Sequence, residues 1–190
     1  PAWMRNEPNI TYVVYQRRNA TWPFYTPNVG KEAAVHFQFI HDHYHHLPLQ
    51  TAFLHENPTD HSPEWRDWLR CLRPDAEYVP LVRGILHRSP RVWGAFGAAQ
   101  ETCWRSTLDA FNMSHMLPPG DLPNMSFHCC TQSVASRRQL QRLPRHAFAR
   151  AQRLLGVGAN GRCGLDRTPP RARWKELSYA KECGADAESG

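Results

Sequence analysis

The sequence predicts an α/β sandwich with a mostly parallel sheet flanked by helices. Apolar runs rich in β-branched and aromatic residues alternate with segments whose apolar residues recur every three or four positions. Such alternation is typical of parallel strands joined by helical crossovers. The chain of 190 residues is long enough for one domain with an apolar core.

The first two predicted elements are a strand at residues 10–15, "ITYVVY", and a helix at residues 31–47. Glu32 suits the positive end of that helix, and Pro48 ends it. Its apolar residues form one continuous stripe, made of Ala33, Phe37, Ile40, Tyr44 and Leu47.

Three further elements follow in the middle of the chain. A strand at residues 49–55 precedes a helix at residues 62–72, in which Ser62 is the predicted N-cap. Residues 76–82 form the next strand. We expect this strand at an edge of the sheet, because Pro80 has no N–H to donate.

The C-terminal half adds a helix at residues 98–111 and a strand at residues 125–136. Ser136 and Gln139 have the spacing of a capping box, which predicts a helix start. The helix that follows is predicted to be interrupted near Pro144 and then to resume.

Charge and composition divide the chain into an α/β domain at residues 1–155 and a basic extension at residues 156–190 that is rich in Gly, Pro and Arg. The formal net charge is +6, and more than half of the Lys and Arg residues follow residue 136. No nucleic-acid reader motif is present, which argues against nucleic acid as the partner. A solvated basic face, or a pocket for anionic phosphates, fits this charge better.

Sequons and cysteines indicate the cellular compartment. Four N-x-[ST] sequons occur where chance predicts about one. The six cysteines are even in number and include no CxxC pair. Both features favour the secretory pathway or the extracellular space, with one or more disulfides. Unused sequons on a cytosolic protein are the alternative. The predicted N-glycosylation sites are Asn9, Asn19, Asn112 and Asn124.

A polar cluster follows the strand at residues 49–55, and it is the first candidate site. Ligands in open α/β sheets bind beyond the carboxyl ends of strands. Mixed oxygen and nitrogen donors suit Mn²⁺ or Mg²⁺ bridging a phosphate. The alternative is a loop in which Asp60 and Ser62 only cap the next helix. The predicted metal ligands are His55, Glu56, Asp60 and His61.

Two weaker patterns lie near the first helix. In "HDHYHH", His41 and His45 are spaced i,i+4 and could chelate a metal, although an exposed polar helix face is the alternative. Residues 27–32 could cradle an anion at the helix start, using free N–H groups and Lys31.

Two sequence blocks carry a family resemblance. Residues 25–65, from "YTPNVGKE" to "HENPTDHSPEW", and residues 129–151, "CCTQSVASRRQLQRLPRHAFARA", occur in order. Together they resemble the signature of an uncharacterised domain family common in fungi and algae. That family in turn resembles GT-A-type glycosyltransferases, which implies a Rossmann-related GT-A-like fold. We expect the chain to begin after the first strand of that fold.

The resemblance also implies residue roles. Residues 55–57 stand at the position of the family's metal-binding D-x-D motif, with Glu56 as the one carboxylate. The resemblance places Gln132 facing the donor or acceptor sugar and makes Asp166 the catalytic base. The residues implied on the nucleotide side are Asn28, Gly30, Lys31 and Glu32.

The function predicted from the resemblance is metal-dependent sugar transfer. The partners would be a nucleotide sugar and a hydroxyl of a glycan or glycoprotein. One alternative is a non-catalytic secreted or structural glycoprotein module that keeps the fold. A His-rich metal-binding module, based on "HDHYHH" alone, is a third.

Overall fold

The computed structural model describes residues 10–27, 31–82, 85–88, 105–116, 120, 125–128 and 132–155. Its main sheet has three short strands, β1 (Gln50–Phe53), β2 (Tyr78–Pro80) and β5 (Ser133–Ser136). Their order is β1-β5-β2, so β5 is the central strand. Both neighbours pair with β5 in antiparallel register, with Ala52 and Val79 each opposite Val134.

The prediction of a mostly parallel, GT-A-like sheet is therefore wrong. Because β1 and β2 are both antiparallel to β5, they run in the same direction as each other. The alternation of strands and helices predicted that neighbouring strands would pair in parallel. It could not show that a strand from much later in the chain lies between them and converts every ladder to antiparallel pairing.

A second sheet consists of two strands, β3 (Ile85–Arg88) and β4 (Met125–His128), paired antiparallel. The strand predicted at residues 125–136 is thus two strands that belong to different sheets. Periodicity alone cannot distinguish one long strand from two short ones that are separated by a few residues.

Five helices occur in the described ranges. They are α1 (Lys31–His43), α2 (Trp65–Arg70), α3 (residues 105–110), α4 (Arg137–Leu140) and α5 (Arg145–Leu154). Within those ranges, no helix has the length and apolar character that a bilayer crossing requires.

Several predicted boundaries differ from the structure. Residues 10–15 form no strand, and an isolated bridge between Gln16 and Tyr25 follows them instead. The first helix ends four residues early, at His43. The next helix has Glu64 at its N-cap rather than Ser62, which is buried in the preceding turn.

Local signals in the second half were more reliable. The Ser136 hydroxyl accepts a hydrogen bond from the Gln139 N–H at 3.1 Å, as the capping-box spacing predicts. Pro144 separates α4 from α5 and stands at the N-cap of α5. Pro80 ends the edge strand β2. These features succeed because each depends on a few consecutive residues.

The core lies mainly between α1 and α5, and the predicted apolar stripe of α1 faces it. Phe37 packs on Phe148 and Phe111, with ring centroids 6.2 and 5.4 Å apart, and the latter two rings are 5.7 Å apart. Ile40 and Leu47 are buried beside Phe148. We call Phe37, Phe111 and Phe148 the aromatic cluster.

Polar contacts attach the end of α1 to the turn before α5. The Tyr44 hydroxyl donates to the Leu143 carbonyl at 2.8 Å, and the Gln141 side chain donates to the Tyr44 carbonyl at 2.8 Å. Arg145 donates from Nε to the His41 carbonyl at 3.0 Å. Since the Arg145 and Gln141 side chains bond carbonyls at the end of α1, the chain turns after His43 instead of extending the helix.

Candidate functional site at the polar end of β1

Residues 55–61 form the loop that follows β1, and we call them the β1 loop. Its middle is a short 3-10 turn, Pro58–Asp60, whose first residue is buried. The turn brings the two ends of the loop together, so that the rings of His55 and His61 lie 4.9 Å apart in an edge-to-face arrangement. The two imidazole rings, six positions apart in the sequence, are therefore in contact.

The loop is held by the buried side chain of Gln132, which is 1% exposed. Its Oε1 accepts from the His55 N–H at 3.3 Å, and its Nε2 donates to the Pro58 carbonyl at 3.1 Å. Both functional groups of the amide are therefore committed to the backbone of the β1 loop. The structure places Gln132 as a support beneath the loop and does not expose it to a ligand.

Helix α1 meets this loop through His36. The ring of His36 packs on Phe53, the last residue of β1, with centroids 4.4 Å apart. Burial lowers the pKa of His36 to about 4; the charge of Glu32 opposes this change, and the charge of His55 adds to it. The first turns of α1 and the β1 loop are thus electrostatically coupled, and His36 is neutral near pH 7.

The predicted metal ligands do not form a metal centre in this arrangement. Among the described residues, no group of three or more His, Cys, Asp or Glu side chains is placed to hold a metal ion. The Asn57 side-chain amide donates to the Asp60 carboxylate, while Glu56 is exposed on the loop. The structure thus brings the rings of His55 and His61 together, and in the described part of the chain no third side chain of this kind completes a metal site with them.

The residues predicted on the nucleotide side are only partly described. Lys31 begins α1 and Glu32 lies in its first turn. Asn28 and Gly30 fall outside the described residues, as does the proposed catalytic base Asp166.

The alternative that Asp60 and Ser62 cap the next helix also fails. The N-cap of α2 is Glu64, and no side-chain hydrogen bond caps the helix. The His61 N–H donates to the Pro58 carbonyl at 3.3 Å and closes the 3-10 turn, and the Ser62 N–H donates to the same carbonyl at 3.1 Å. The β1 loop is therefore a separate structure and not the start of α2.

The "HDHYHH" segment does not form a chelating helix face. Because α1 ends at His43, His45 lies beyond the helix and the predicted i,i+4 relation is lost. His41 Nδ1 is 3.1 Å from an Asp42 oxygen, and the Tyr15 hydroxyl donates to the other oxygen at 3.3 Å. Burial and the Asp42 carboxylate raise the pKa of Tyr15.

Sequence reasoning did not identify His36. It stands beside the apolar stripe and one turn after Glu32, a spacing that usually indicates a solvent-exposed pair on a helix. The contact that links His36 to the site is with Phe53, which lies in a strand. Its distance from Glu32 was visible in the sequence, but its burial was not.

Of the predicted glycosylation sites, Asn19 and Asn112 are described, and Asn9 and Asn124 are not. Cys71 is a free thiol at the surface. The other five cysteines lie outside the described residues.

Comparison with known proteins gives one family match. Residues 1–74 match the model of a family described as a protein of unknown function (DUF3431), so the match includes α1, β1 and the β1 loop. No curated protein matches the chain. No solved structure matches it either.

Proposed function

We propose that the first turns of α1 and the β1 loop bind the diphosphate of a nucleotide sugar, and that the protein transfers the sugar to a hydroxyl of a glycan or glycoprotein. The observation that carries the proposal is the contact between the His36 and Phe53 rings at 4.4 Å. It joins the two segments that the resemblance assigns to donor binding. The paired rings of His55 and His61 lie on the same loop.

The chemistry needs positive or proton-donating groups near the departing phosphate. Sugar transfer breaks the bond between C1 of the sugar and the diphosphate oxygen, and negative charge then accumulates on the diphosphate. An imidazole N–H of His55 or His61 can donate a hydrogen bond to that oxygen. Asp166 remains the base that the resemblance proposes for the acceptor hydroxyl.

A divalent ion, Mn²⁺ or Mg²⁺, also belongs to the activity implied by the resemblance. The described donor set does not fit it, because His55 and His61 lie together without a third ligand placed beside them. The proposed role of the two histidines is therefore derived without a metal, and the metal enters as a variable of the experiment.

A second candidate is a binding module without transferase activity. It is favoured by Gln132, whose amide is fully engaged by the His55 N–H and the Pro58 carbonyl. The resemblance assigns this side chain to sugar contact. In the observed geometry, however, the side chain has no polar group left to bond a sugar.

Thermal unfolding of the full chain with nucleoside diphosphates and nucleotide sugars, with and without Mn²⁺, tests the proposal. We expect at least one nucleotide to raise the melting temperature, and His55→Ala and His61→Ala to remove that increase. Ligand binding to the folded state alone stabilises a protein in this way. Donor turnover measured with the same nucleotide separates the transferase from the binding module.

Asp67→Ala is the matched control for a charge change. Asp67 is exposed on α2 and pairs only with neighbouring Arg70 among the interactions described, so its loss should leave the nucleotide response intact. Absence of a response to every nucleotide, with or without Mn²⁺, in a protein that unfolds cooperatively would contradict the proposal. A response that survives in both histidine variants would move the site elsewhere. A Mn²⁺-dependent response that is lost in Glu56→Ala would identify the Glu56 carboxylate as a metal ligand.

We also propose that the protein passes through the secretory pathway or is extracellular. The excess of sequons supports this location. Peptide mass spectrometry of protein from its natural source should find glycan on at least one sequon, and four unmodified asparagines would contradict the proposal.

A further inference from the structure

The segment at residues 16–22, which we call the sequon turn, is organised by the side chain of Gln16. Its Nε2 donates to the Asn19 carbonyl at 2.7 Å. Its Oε1 accepts from the N–H groups of Arg18 and Asn19 at 2.9 and 3.0 Å. The Trp22 N–H also donates to the Asn19 carbonyl, at 3.1 Å. All these bonds join residues that are close in sequence.

Inside this turn, the two polar residues of a sequon contact each other. The backbone N–H and the hydroxyl of Thr21 both donate to the side-chain oxygen of Asn19, at 3.0 and 2.8 Å. Two donors on that oxygen draw electron density from the amide and acidify its Nδ2 hydrogens. Within the described residues, Asn19 Nδ2 has no hydrogen-bond acceptor, and Thr21 is exposed.

The second described sequon has a different geometry. Asn112 follows α3 with a φ of 57°, in the left-handed region. The Ser114 hydroxyl donates to the Asp109 carboxylate at 3.4 Å, and not to the Asn112 side chain. Neighbouring Phe111 belongs to the aromatic cluster. The backbone of this sequon is held by a local bond as well, from the Asn112 N–H to the Asp109 carbonyl at 2.9 Å, but its hydroxyl is engaged by a carboxylate and not by the asparagine.

We infer that Asn19 is the preferred acceptor of an N-linked glycan and that Gln16 positions it. N-linked glycan is attached largely during synthesis, before the domain has folded. A sequon whose conformation is made by local hydrogen bonds can adopt that conformation before it meets the transferase. At Asn19 the local bonds join the threonine hydroxyl to the asparagine side chain, whereas at Asn112 the serine hydroxyl bonds Asp109 instead. The inference rests on the proposed passage through the secretory pathway and is independent of the proposed sugar-transfer activity.

The reaction requires a lipid-linked oligosaccharide diphosphate and the cellular oligosaccharyltransferase. Asn19 Nδ2 forms a bond to C1 of the first sugar while the bond between C1 and the diphosphate oxygen breaks. The lipid diphosphate leaves with the bonding electrons, and the amide gives one proton to a base of the transferase.

Exposed aromatic residues beside the turn are consistent with an attached sugar. Trp22 is 64% exposed and Phe24 is 47% exposed, although large aromatic side chains usually gain more burial. A sugar on Asn19 adds a surface on which such a ring can pack.

The test is site-by-site glycan occupancy in the full chain expressed behind a secretion signal in mammalian cells. Enzymatic deglycosylation in heavy-oxygen water marks each occupied asparagine for mass spectrometry. We expect higher occupancy at Asn19 than at Asn112. Gln16→Ala should lower occupancy at Asn19 by about two-fold or more, although the sequon itself is unchanged, because three local hydrogen bonds are lost.

Two further variants make the result specific. Arg18→Ala changes an exposed side chain of the same turn but keeps every backbone N–H, so occupancy at Asn19 should not change. Thr21→Ala removes the sequon and should abolish the modification at Asn19 alone. Equal or higher occupancy at Asn112 would overturn the preference. Unchanged occupancy in Gln16→Ala would overturn the role of Gln16.

Discussion

The aromatic cluster and the polar end of β1 share helix α1 but use it differently. Phe37 contributes to the cluster, packed on Phe111 and Phe148. The residue before it, His36, instead packs on Phe53 next to the β1 loop. Consecutive helical residues point about 100° apart, so one helix supplies both an apolar core and a polar site. The first region stabilises the fold, and the second is the site that we propose for donor binding.

The two regions also satisfy their buried groups in different ways. The aromatic cluster has no polar atoms to satisfy, so its stability depends on apolar contact alone. At the polar end of β1, the buried amide of Gln132 meets a backbone donor and a backbone acceptor. A polar site of this kind keeps its shape only while those partners are present.

The largest expected effect is in the aromatic cluster. Phe148→Ala should lower the free energy of unfolding by about 3–5 kcal/mol, because it leaves a cavity between α1 and α5. Denaturant unfolding measures this change. Leu49→Ala is the control, since Leu49 is 79% exposed, and it should cost less than about 0.5 kcal/mol. Similar costs for the two variants would show that the core does not lie where Phe148 packs.

The next largest effect is the dependence of stability on pH that His36 causes at the polar end of β1. The pKa of His36 is about 4 in the folded protein and 6.5 when unperturbed, so the folded state favours neutral His36. The stability that this gives is complete above pH 6.5 and is lost as the pH falls from 6.5 toward 4. The loss is on the order of 3 kcal/mol.

Denaturant unfolding as a function of pH measures the loss attributed to His36. His36→Gln should flatten the profile between pH 6.5 and 4, because the group no longer binds a proton. His46→Gln is the matched control, since His46 is exposed and its replacement should leave the profile unchanged. A profile that is equally steep with and without His36 would assign the acid sensitivity to other groups.

A third substitution, at Gln132, tests whether the β1 loop can be destabilised separately from the core. Gln132→Ala removes the acceptor of the His55 N–H and one of the donors to the Pro58 carbonyl, and it should cost about 1–3 kcal/mol. Hydrogen exchange of the His55 amide should become faster. Exchange in α5 should change only as global stability falls. Gln50→Ala, at a side chain that bonds the Arg73 carbonyl at the surface, is the control. An unchanged His55 amide would contradict the supporting role of Gln132.

The smallest expected effect is at a helix cap away from both regions. Ser136→Ala should cost about 1 kcal/mol, because the Gln139 N–H loses its acceptor. Thermal unfolding measures it. Ser136→Asp, which keeps an acceptor at the cap, should recover most of the stability. Failure of Asp to recover more than Ala would indicate that the hydroxyl acts through some other contact.

Much of the local structure could be predicted from the sequence, as particular residues show. The stripe through Phe37 and Ile40 predicted the buried face of α1, and that face packs as expected. Ser136 and Pro144 predicted where helices begin. The predicted end of α1 was wrong, because side chains of Gln141 and Arg145, from much later in the chain, bond carbonyls there. The predicted bounds of α2 also differ, by three residues at its start and two at its end.

The candidate site was predicted in part. The sequence identified the loop after the strand and the histidines at its two ends. It predicted that Glu56 and Asp60 would join them around a metal ion, whereas the structure pairs the two imidazole rings and, among the described residues, forms no group of three such side chains. Gln132 was assigned to a ligand, but its amide supports the β1 loop.

The amino-acid sequence by itself determined which segments are apolar, where caps and prolines interrupt them and which asparagines stand in sequons. These properties depend on residues a few positions apart, whose interactions form without the rest of the chain. Only the tertiary structure decided that β5 lies between β1 and β2, that His36 meets Phe53 and that Gln132 reaches the β1 loop. Each of these contacts joins residues that are distant in sequence, and the packing of the whole domain selects it from many alternatives that local patterns allow equally.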